Sequence, residues 1–275
     1  MGIQAKEPLQ YYQYDSGDWK LVDTGVIVEQ PVTLTVNGEI WLELLCTPVD
    51  LEALAVGFLF NEGIIQSAEA IRHVEACTSG KNVDVWLSHA ADRPKHWRRT
   101  SGCGGGMTST DPESQPGEAV GTFCLTPEAV CALSGQLLEV QGLYREVRGV
   151  HTSALSDGER LLVVAEDVGR HNTIDKISGH CVLNGIFPAQ RILLTTGRIS
   201  SEMLQKASRL GAAMVVSRSS PTSLSVRLAQ QLGITLIGYA HRDRFNVYTC
   251  PERVANAVEG ICTEAFPAPK TIFAV

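Results

Sequence analysis

The sequence predicts an α/β fold, with a parallel-rich sheet and flanking helices in residues 123–275 and a smaller α+β region in residues 21–87. Two observations predict it. In the C-terminal half, short apolar runs alternate with helical stretches of roughly 10–14 residues, which is typical of βαβ units. In the N-terminal part, strand-like runs surround an Asn37-Gly38 hairpin turn. The 275 residues are enough for one large or two modest domains.

The N-terminal elements follow from turn and capping signals. Residues 1–20 are expected to form a polar, aromatic tail. Strands are expected at 21–28, 32–36, 40–46 and 83–87. Between the last two, Thr47 and Pro48 carry the residue types that start a helix, with Asp50 in the place of a capping-box acid. Gly63 is expected to end that helix.

Residues 88–122 break the pattern and are expected to form a long mobile segment. At its centre Cys103 stands among four glycines and follows the basic pair Arg98-Arg99. Such glycines leave the backbone nearly unconstrained, and basic neighbours favour a reactive thiolate. Two interpretations remain open from the loop alone: a thiol that moves between partners, or a flexible surface loop with an incidental cysteine.

The C-terminal half carries the clearest periodicity. A helix is expected from Thr126 to about residue 141. Strands are then expected at 161–165, 191–196, 212–217 and 235–239, and helices at 171–183, 200–210, 221–232 and 251–258. Glycines at 185, 211 and 233 stand where a helix must end.

The carboxyl ends of these four strands are expected to form a binding edge, because ligands of open α/β sheets bind there. Each end carries arginine, and three lead into a helix N-terminus, an arrangement that favours phosphate. The candidate ligands from this argument are Arg170, His171, Lys176, Arg198, Ser217, Ser219 and Arg242, with His151, Glu166, Asp167 and Lys206 as further candidates. The competing interpretation is that these are ordinary caps and surface ion pairs.

Composition and missing motifs exclude several classes. The net charge of −7 argues against broad nucleic-acid or membrane binding. Eight scattered cysteines without a close pair argue against a disulfide framework or a zinc finger, and no metal site is predicted. Neither a long apolar run nor an N-terminal export signal is present, so a cytoplasmic protein is expected. Phosphate-loop, GxGxxG, GxSxG and zinc-deaminase signatures are absent.

Several motifs occur in an order that resembles the FdhD/NarQ family, the formate dehydrogenase accessory sulfurtransferases, over residues 21–250. They are Val36-Asn37-Gly38, Thr47-Pro48, Ala55-Val56-Gly57-Phe58-Leu59, Asn61-Glu62-Gly63-Ile64-Ile65, Ser101-Gly102-Cys103-Gly104, His151 with Ala154-Leu155, Glu166-Asp167-Val168-Gly169-Arg170-His171-Asn172 with Asp175-Lys176, Gly197-Arg198-Ile199-Ser200-Ser201-Glu202-Met203 with Lys206, Ser217-Arg218-Ser219-Ser220-Pro221-Thr222 and Phe245-Asn246-Val247-Tyr248-Thr249.

The resemblance implies a function and a fold. Family members take sulfur from a cysteine desulfurase as a cysteine persulfide and pass it to the bis-molybdopterin guanine dinucleotide cofactor of molybdenum, which formate dehydrogenase requires. By resemblance, Cys103 is the persulfide carrier, and guanine nucleotide is expected in the cofactor pocket. The resemblance also implies a cytidine-deaminase-like core, a homodimer, and contact of the cofactor with Phe245, Asn246, Val247, Tyr248, Thr249 and Cys250.

One departure from the family pattern keeps a second hypothesis open. Family members commonly carry a second cysteine three residues after the first, and here that position is Gly106. Schemes with two cysteines then require Cys124 or another thiol to fold back. The alternative function is a non-catalytic chaperone that binds the molybdenum cofactor and delivers it to formate dehydrogenase. A nucleotide-processing enzyme is the third possibility and lacks metal ligands.

Overall fold

The N-terminus forms a β-ribbon. A computed structural model describes residues 4–100, 107–109 and 123–257. Strands β1 (Lys6–Asp15) and β2 (Asp18–Ile27) pair antiparallel around a turn at Ser16-Gly17, where both residues have positive φ. The expected tail is therefore wrong for residues 6–20. Its alternation of aromatic and polar residues is the pattern of a two-stranded ribbon.

A four-stranded sheet with one helix follows the ribbon. Its strands are β3 (Gln30–Val36), β4 (Glu39–Cys46), β5 (Ile71–Ala76) and β6 (Asn82–Leu87), in the order β4-β3-β6-β5. The Asn37-Gly38 hairpin is confirmed, with φ of 51° and 83° at the two residues. Strand β5 was not predicted, because only three of its six side chains are even half-buried and it carries little apolar signal.

Helix α1 (Leu51–Asn61) begins later than predicted. Asp50 is its N-cap in a left-handed conformation and makes no capping bond. The expected capping box at Thr47 is therefore wrong: Thr47 is buried and its backbone and hydroxyl bond elsewhere, as described below. Gly63, at φ 77°, lies just beyond the helix and ends it as predicted.

The C-terminal sheet has six strands. They are β9 (His151–Ser156), β10 (Leu161–Asp167), β11 (Ile192–Thr195), β12 (Met214–Ser217), β13 (Thr235–Gly238) and β14 (Asn246–Thr249), in the order β10-β9-β11-β12-β13-β14. The four predicted strands point in one direction. The two unpredicted strands, β9 and β14, run opposite to their neighbours, so the sheet is mixed rather than parallel-rich.

Helices cover both faces of this sheet. Helices α4 (Arg170–Asn184), α5 (Ser201–Arg209) and α6 (Ser223–Leu232) pack on one face, and α2 (Pro127–Glu139) packs on the other. The predicted start of α2 is confirmed, since the Thr126 side chain accepts a bond from Ala129 N and Pro127 is the first helical residue. A short helix α3 (Gly142–Val147) follows. The helix expected at 251–258 is wrong within the described residues, where only a 3₁₀ turn at Pro251–Arg253 forms.

Two glycines bring the N-terminal and C-terminal halves together. Helices α1 and α4 pack against each other. A Cβ on Gly57 of α1 would lie 1.7 Å from the carbonyl oxygen of Asp175, and one on Gly179 of α4 would lie 1.8 Å from that of Ala53. The two helix backbones are thus in direct contact, and any side chain at either glycine would force them apart.

The segment that follows the first sheet has little regular structure where it is described. Strands β7 (Arg98–Arg99) and β8 (Met107–Thr108) form a two-residue antiparallel pair. Cys103 and Gly106 lie outside the described residues. Across the described parts of the chain, no helix combines the length and the apolar character that crossing a membrane requires.

Candidate functional site

The carboxyl ends of β10, β11, β12 and β13 meet at one edge of the C-terminal sheet. The strand register places Asp167 opposite His151, and Thr195 opposite both Ser153 and Ser217. The loops after β10, β11 and β12 lead directly into α4, α5 and α6. The predicted convergence is therefore confirmed. We call these four loops, residues 167–170, 196–200, 218–222 and 239–245, the sheet edge.

Hydroxyl groups hold neighbouring loops of the sheet edge together. Ser217 Oγ donates to the carbonyl of Gly197 at 2.7 Å and accepts from the backbone N–H of Ser219 at 2.9 Å. Thr195 Oγ1 accepts from Gly197 N at 3.1 Å and from Ser153 Oγ at 2.8 Å. Ser217 is fully buried. It therefore shapes the edge rather than offering a free hydroxyl to a ligand, while Ser219 is half-buried beside it.

The arginines of the sheet edge differ in exposure. Arg198 is exposed, and Arg170 is buried against Gly197, where an added Cβ would lie 2.9 Å from the Arg170 Cβ. Arg218 is half-buried, and its buried Nε has no hydrogen-bond partner among the described residues. Arg242 is exposed and pairs with Glu139 of α2 at 3.3 Å. Among these four, Arg198 and Arg218 are thus the arginines that the structure leaves best placed for an anion.

Strand β14 carries the segment expected to contact the cofactor, and it divides that segment between two ends of the sheet. Asn246 pairs with Gly238 next to the sheet edge, with Phe245 just before it. At the far end, Thr249 Oγ1 donates to Ile234 O, and Cys250 O accepts from Thr235 Oγ1. Val247 packs into the core and Tyr248 is partly exposed. The structure therefore brings Phe245 and Asn246 to the edge, and not Thr249 or Cys250.

Phe245 and Arg242 also line an open groove of about 570 Å³ against α2. Gly135 of α2 also lines the groove, and a Cβ added at this glycine would lie 3.9 Å from Arg242 Cγ. Glu139 and Cys131 line the same groove. The structure thus separates Arg242 from the helix N-termini and directs it toward α2.

Asp167 and Lys176 form a buried ion pair with Nζ and Oδ2 2.7 Å apart. Both side chains are completely buried. Lys176 Nζ also donates to the carbonyls of Thr47 and Glu166, each at 3.1 Å, and Thr47 N donates to Asp167 Oδ2. Val168 N donates in turn to Thr47 Oγ1. All three ammonium hydrogens of Lys176 are therefore used. Lys176 and Asp167 connect the two halves of the chain, and their charged groups do not face a ligand at the sheet edge, contrary to the prediction.

A second buried pair joins α1, α4 and α5. Lys206 Nζ lies 2.7 and 2.6 Å from the two carboxylate oxygens of Asp175, and Asn61 Nδ2 donates to Asp175 Oδ1 at 2.8 Å. Burial raises the pKa of Asp175, and the charge of Lys206 opposes that shift. Lys206 is therefore a structural cation rather than a free anion ligand. Its Nζ also lies 5.6 Å from the ring centroid of Phe58.

Glu166 holds the start of α3. Its carboxylate accepts from the backbone N–H groups of Leu143 and Tyr144 and from the hydroxyl of Thr152. A carboxylate on helix-terminal N–H groups satisfies donors that otherwise lack partners. Glu166 thus has a capping role away from the helix N-termini of the sheet edge.

His171 directly follows the first loop of the sheet edge and is almost completely buried. It is 1% exposed, and its Nε2 lies 3.4 Å from Ser200 Oγ, the N-cap of α5. Its buried Nδ1 has no hydrogen-bond partner in the described part of the chain. Burial, followed by the charges of Lys206, Arg170 and His151, holds the pKa of His171 well below its usual value. His171 is therefore neutral at pH 7 and keeps one nitrogen available.

His151 lies at the same edge. Its Nδ1 is 3.5 Å from Thr196 Oγ1, and the ring is half-buried. Burial and the charge of Arg170 lower the pKa of His151, while Asp167 opposes the shift. The charge of Arg170 acts on both His151 and His171, so these three side chains are neighbours.

The described ends of the Cys103 loop rest on α1. Trp97 stacks on Phe58 with ring centroids 5.8 Å apart, and the backbone N–H and hydroxyl of Ser109 both donate to Glu62 Oε2 at 2.7 Å. Thr100 is buried, and neither its hydroxyl nor the indole N–H of Trp97 has a hydrogen-bond partner among residues 4–100, 107–109 and 123–257. Through Phe58, the start of the loop at Trp97 lies near Lys206 of α5.

Metal ligands do not gather in the described residues: no group of three or more histidine, cysteine, aspartate or glutamate side chains is placed to hold an ion.

The FdhD/NarQ family model matches residues 27–255, which includes both sheets and the sheet edge. The chain belongs to the FdhD/NarQ family. The resemblance inferred from the motifs is thereby confirmed.

Individual relatives agree with this assignment to the FdhD/NarQ family. A Bacillus subtilis protein named sulfur carrier protein FdhD is 37% identical over 250 residues, covering 88% of this chain and 95% of that protein. A Staphylococcus aureus protein of the same name is 34% identical, covering 93% and 98%. The crystal structure of a Desulfotalea psychrophila protein assigned as a formate dehydrogenase accessory protein has a TM-score of 0.76 and 29% identity, covering 91% of this chain and all of that one.

Sequence reasoning missed three residues that hold this FdhD/NarQ site in place: Thr47, Asn61 and Trp97. The sequence predicts Thr47 to be a helix cap, and it places Asn61 at the end of a helix and Trp97 in the long segment 88–122. A polar residue inside an otherwise apolar stretch, as Asn61 is after residues 51–60, is the one signal that could have indicated a buried hydrogen bond.

Proposed function

We propose that this chain is a sulfur carrier that receives sulfur from a cysteine desulfurase as a persulfide on Cys103 and transfers it to the bis-molybdopterin guanine dinucleotide form of the molybdenum cofactor, for use by formate dehydrogenase. Membership of the FdhD/NarQ family supports the proposal, as do relatives named sulfur carrier protein FdhD. It acts as a sulfurtransferase in which the protein itself carries the transferred atom.

The observation that carries the proposal is where the Cys103 loop is anchored. Both described ends of the loop dock on α1, at Phe58 and Glu62. Phe58 contacts Lys206, whose charge acts on His171 at the sheet edge. The described ends of the loop thus lie on the helix that contacts Lys206, which supports the proposal that Cys103 acts at the sheet edge.

The proposed chemistry uses one thiolate twice. The Cys103 thiolate attacks the outer sulfur of the desulfurase persulfide, the donor S–S bond breaks, and the donor leaves as its thiolate. The outer sulfur then passes from Cys103 to the molybdenum centre, which supplies the two electrons that the sulfane sulfur takes up, and Cys103 returns to the thiolate. This step needs no second protein thiol, so glycine at position 106 does not prevent it.

The cargo cofactor fits the chemistry of the sheet edge. Its guanine dinucleotide part carries diphosphates, and phosphate is favoured by helix N-termini beside arginine. The N-termini of α5 and α6, the exposed Arg198, the buried Nε of Arg218 and the available Nδ1 of His171 provide such groups. Guanine nucleotide alone is proposed to occupy the same place.

The test is mass spectrometry after incubation with a cysteine desulfurase and cysteine. We expect an adduct of about 32 Da on Cys103, since persulfide is one of the reversible thiol modifications. Cys103→Ala should lose this adduct and fail to activate formate dehydrogenase, while it still folds and binds guanine nucleotide. Activation at the normal level by Cys103→Ala would refute the sulfur-transfer mechanism.

Cys77 provides the matched control. It is half-buried, and a hydrogen bond from Ser79 together with backbone N–H groups lowers its pKa. Burial instead raises the pKa of Cys46 and Cys181 to about 12, which keeps those thiols unreactive. Cys77→Ser should therefore remove a non-specific labelling site while formate dehydrogenase activation remains unchanged.

The second candidate function is a chaperone that binds the molybdenum cofactor and delivers it without sulfur transfer. Glycine at position 106 favours it, because no local second thiol can resolve the persulfide. The chaperone requires that Cys103→Ala keep both cofactor binding and activation. The adduct measurement and the activation assay therefore separate the two functions.

A further inference from the structure

Two histidines lie at the sheet edge, where the charge of Arg170 acts on both. His151 is half-buried at the start of β9, opposite Asp167, and His171 is 1% exposed in the first turn of α4. Burial, together with the charge of Arg170, lowers the pKa of each ring, so both are neutral at pH 7. Neither ring then adds positive charge to an edge that is proposed to hold an anion.

The buried lysines near these histidines add no net charge either. Lys176 pairs with Asp167, and Lys206 pairs with Asp175. The chain as a whole carries a net charge of −7. A ligand with two negative charges therefore gains from any further positive charge that appears at the sheet edge when it binds.

The hydrogen bonds of His171 leave a place for one added proton. Its Nε2 lies 3.4 Å from Ser200 Oγ, which also accepts from the backbone N–H of Met203. Its Nδ1 is buried and has no hydrogen-bond partner among residues 4–100, 107–109 and 123–257. Both nitrogens of a protonated imidazole are donors. A protonated His171 thus needs an acceptor for Nδ1 that the described residues do not supply.

His151 can accept a proton without losing its contact. Its Nδ1 is 3.5 Å from Thr196 Oγ1, which accepts from the backbone N–H of Thr152. The hydroxyl of Thr196 can donate to Nδ1 of a neutral ring or accept from Nδ1 of a protonated one. The ring is half-buried, so a proton from solvent can reach it.

We propose that His151 and His171 take up protons from solvent when an anionic ligand binds at the sheet edge, so that the edge binds its ligand and protons together. The anion offsets the positive charges beside the rings and offers an oxygen acceptor to Nδ1 of His171. This inference rests on the proposed binding of the cofactor diphosphate at the edge and does not depend on sulfur transfer.

The charged groups that act on the two rings come from four elements. Arg170 at the start of α4 acts on both rings. Lys206 of α5 and His151 of β9 act on His171, and Asp167 at the end of β10 acts on His151. Only Asp167 favours the protonated state, and its carboxylate is already paired with Lys176. A bound anion therefore changes the balance at both rings in the same direction.

Linkage between ligand and proton gives the sign and size of the effect. A ligand that raises the pKa of a ring binds more tightly as the pH falls through the pKa of that ring in the complex, and the gain ends below its pKa in the free protein. An opposite charge within about 4–6 Å shifts a pKa by about 1–3 units, and one unit corresponds to about tenfold in affinity. We therefore expect binding to be about tenfold tighter at pH 5.5 than at pH 8.

Isothermal titration calorimetry of the full chain with diguanosine diphosphate tests the proposal. The two guanosines of this probe are joined through a diphosphate that has no terminal phosphate group, so the charge of the probe stays constant between pH 5.5 and 8. The dissociation constant is measured across that range. Titrations in two buffers of different ionisation enthalpy give the number of protons taken up, which should be above zero near pH 6.

Variants identify the groups that take up the protons. With His151→Asn and His171→Asn combined, the dissociation constant should change less than about twofold between pH 8 and pH 5.5. The matched control is His180→Asn, toward the other end of α4, where His180 Nε2 lies 3.8 Å from Asp50. This control should keep the full pH dependence. Thermal unfolding at each pH checks that the variants fold, and proton uptake by the unchanged chain provides a test that needs no variant.

Two results would overturn the inference alone. One is binding by the unchanged chain with no pH dependence and no proton uptake, and the other is an equal pH dependence in the double histidine variant and in His180→Asn. The absence of any binding between pH 5.5 and pH 8 would overturn the proposed cofactor site as well. The persulfide adduct on Cys103 is measured separately, so failure of sulfur transfer is distinguishable from each of these results.

Discussion

The buried His171 predicts a loss of stability as the pH falls from 8 to 5. In the unfolded chain a histidine binds its proton near pH 6.5. In the folded chain, burial and the charges of Lys206, Arg170 and His151 hold the pKa of His171 well below that value. As the pH drops, the unfolded state therefore takes up the proton first, and the free energy of unfolding decreases.

The magnitude follows from one proton taken up by the unfolded state alone. While the pH stays above the folded-state pKa, the slope of the unfolding free energy approaches about 1.4 kcal/mol per pH unit below pH 6.5. Integration from pH 8 to pH 5 gives an upper limit of about 2 kcal/mol for the loss from one such proton. The contribution is fully present above pH 6.5.

Urea denaturation at half-unit steps of pH measures this loss. The unchanged chain and His171→Asn should differ in slope between pH 6.5 and 5, whatever the absolute stability of the variant. The lowered pKa of His151 acts in the same direction, so His151→Asn should be included in both backgrounds. Parallel stability curves for the chain with and without His171 would refute the assignment of a neutral, buried imidazole.

Two further substitutions test how the halves are joined. Gly57→Ala should prevent folding or lower the free energy of unfolding by at least ~3 kcal/mol, because the added Cβ would lie 1.7 Å from Asp175 O. Its control is Gly135→Ala in helix α2, where the nearest atom is 3.9 Å away, so that change should be neutral or stabilising by up to ~1 kcal/mol. Thermal unfolding compares the two variants, and equal effects would contradict the close contact between α1 and α4. Lys176→Met should lower the free energy of unfolding by about 3–5 kcal/mol, because it leaves Asp167 buried without its partner. Adding Asp167→Asn should recover part of that loss, as measured by urea titration. A double variant no more stable than Lys176→Met would show that the charges of the pair are not the cause.

Much of the fold was predictable because local signals and tertiary structure agree. The Asn37-Gly38 turn, the Gly63 helix end and the Thr126-Pro127 start of α2 depend on residue types that permit particular backbone conformations. The four predicted strands of the C-terminal sheet, β10 to β13, were found because they are apolar runs between helices. Strand β9 was missed because Thr152, Ser153 and Ser156 make it look like a loop, and its polar groups are satisfied only by neighbouring elements.

The candidate site, like the fold, could be predicted only in part. The sequence by itself determined the family, the convergence of four loops at the sheet edge, and the residue types available there. It could not distinguish Lys176 and Lys206, which are buried in ion pairs, from Arg198, which is exposed. That distinction depends on partners about 30 to 130 residues away in the chain, such as Asp175 for Lys206 and Thr47 for Lys176.

Only the tertiary structure decided which of the motif residues hold the two halves together and which face a ligand. The physical reason is that a charged side chain becomes structural when burial makes an unpaired charge too costly, and burial is a property of the packed molecule. Cys103 shows the complementary case. Its proposed chemistry is a prediction from neighbouring residues, and the tertiary structure adds only that Trp97 and Ser109, at the described ends of its loop, contact Phe58 and Glu62.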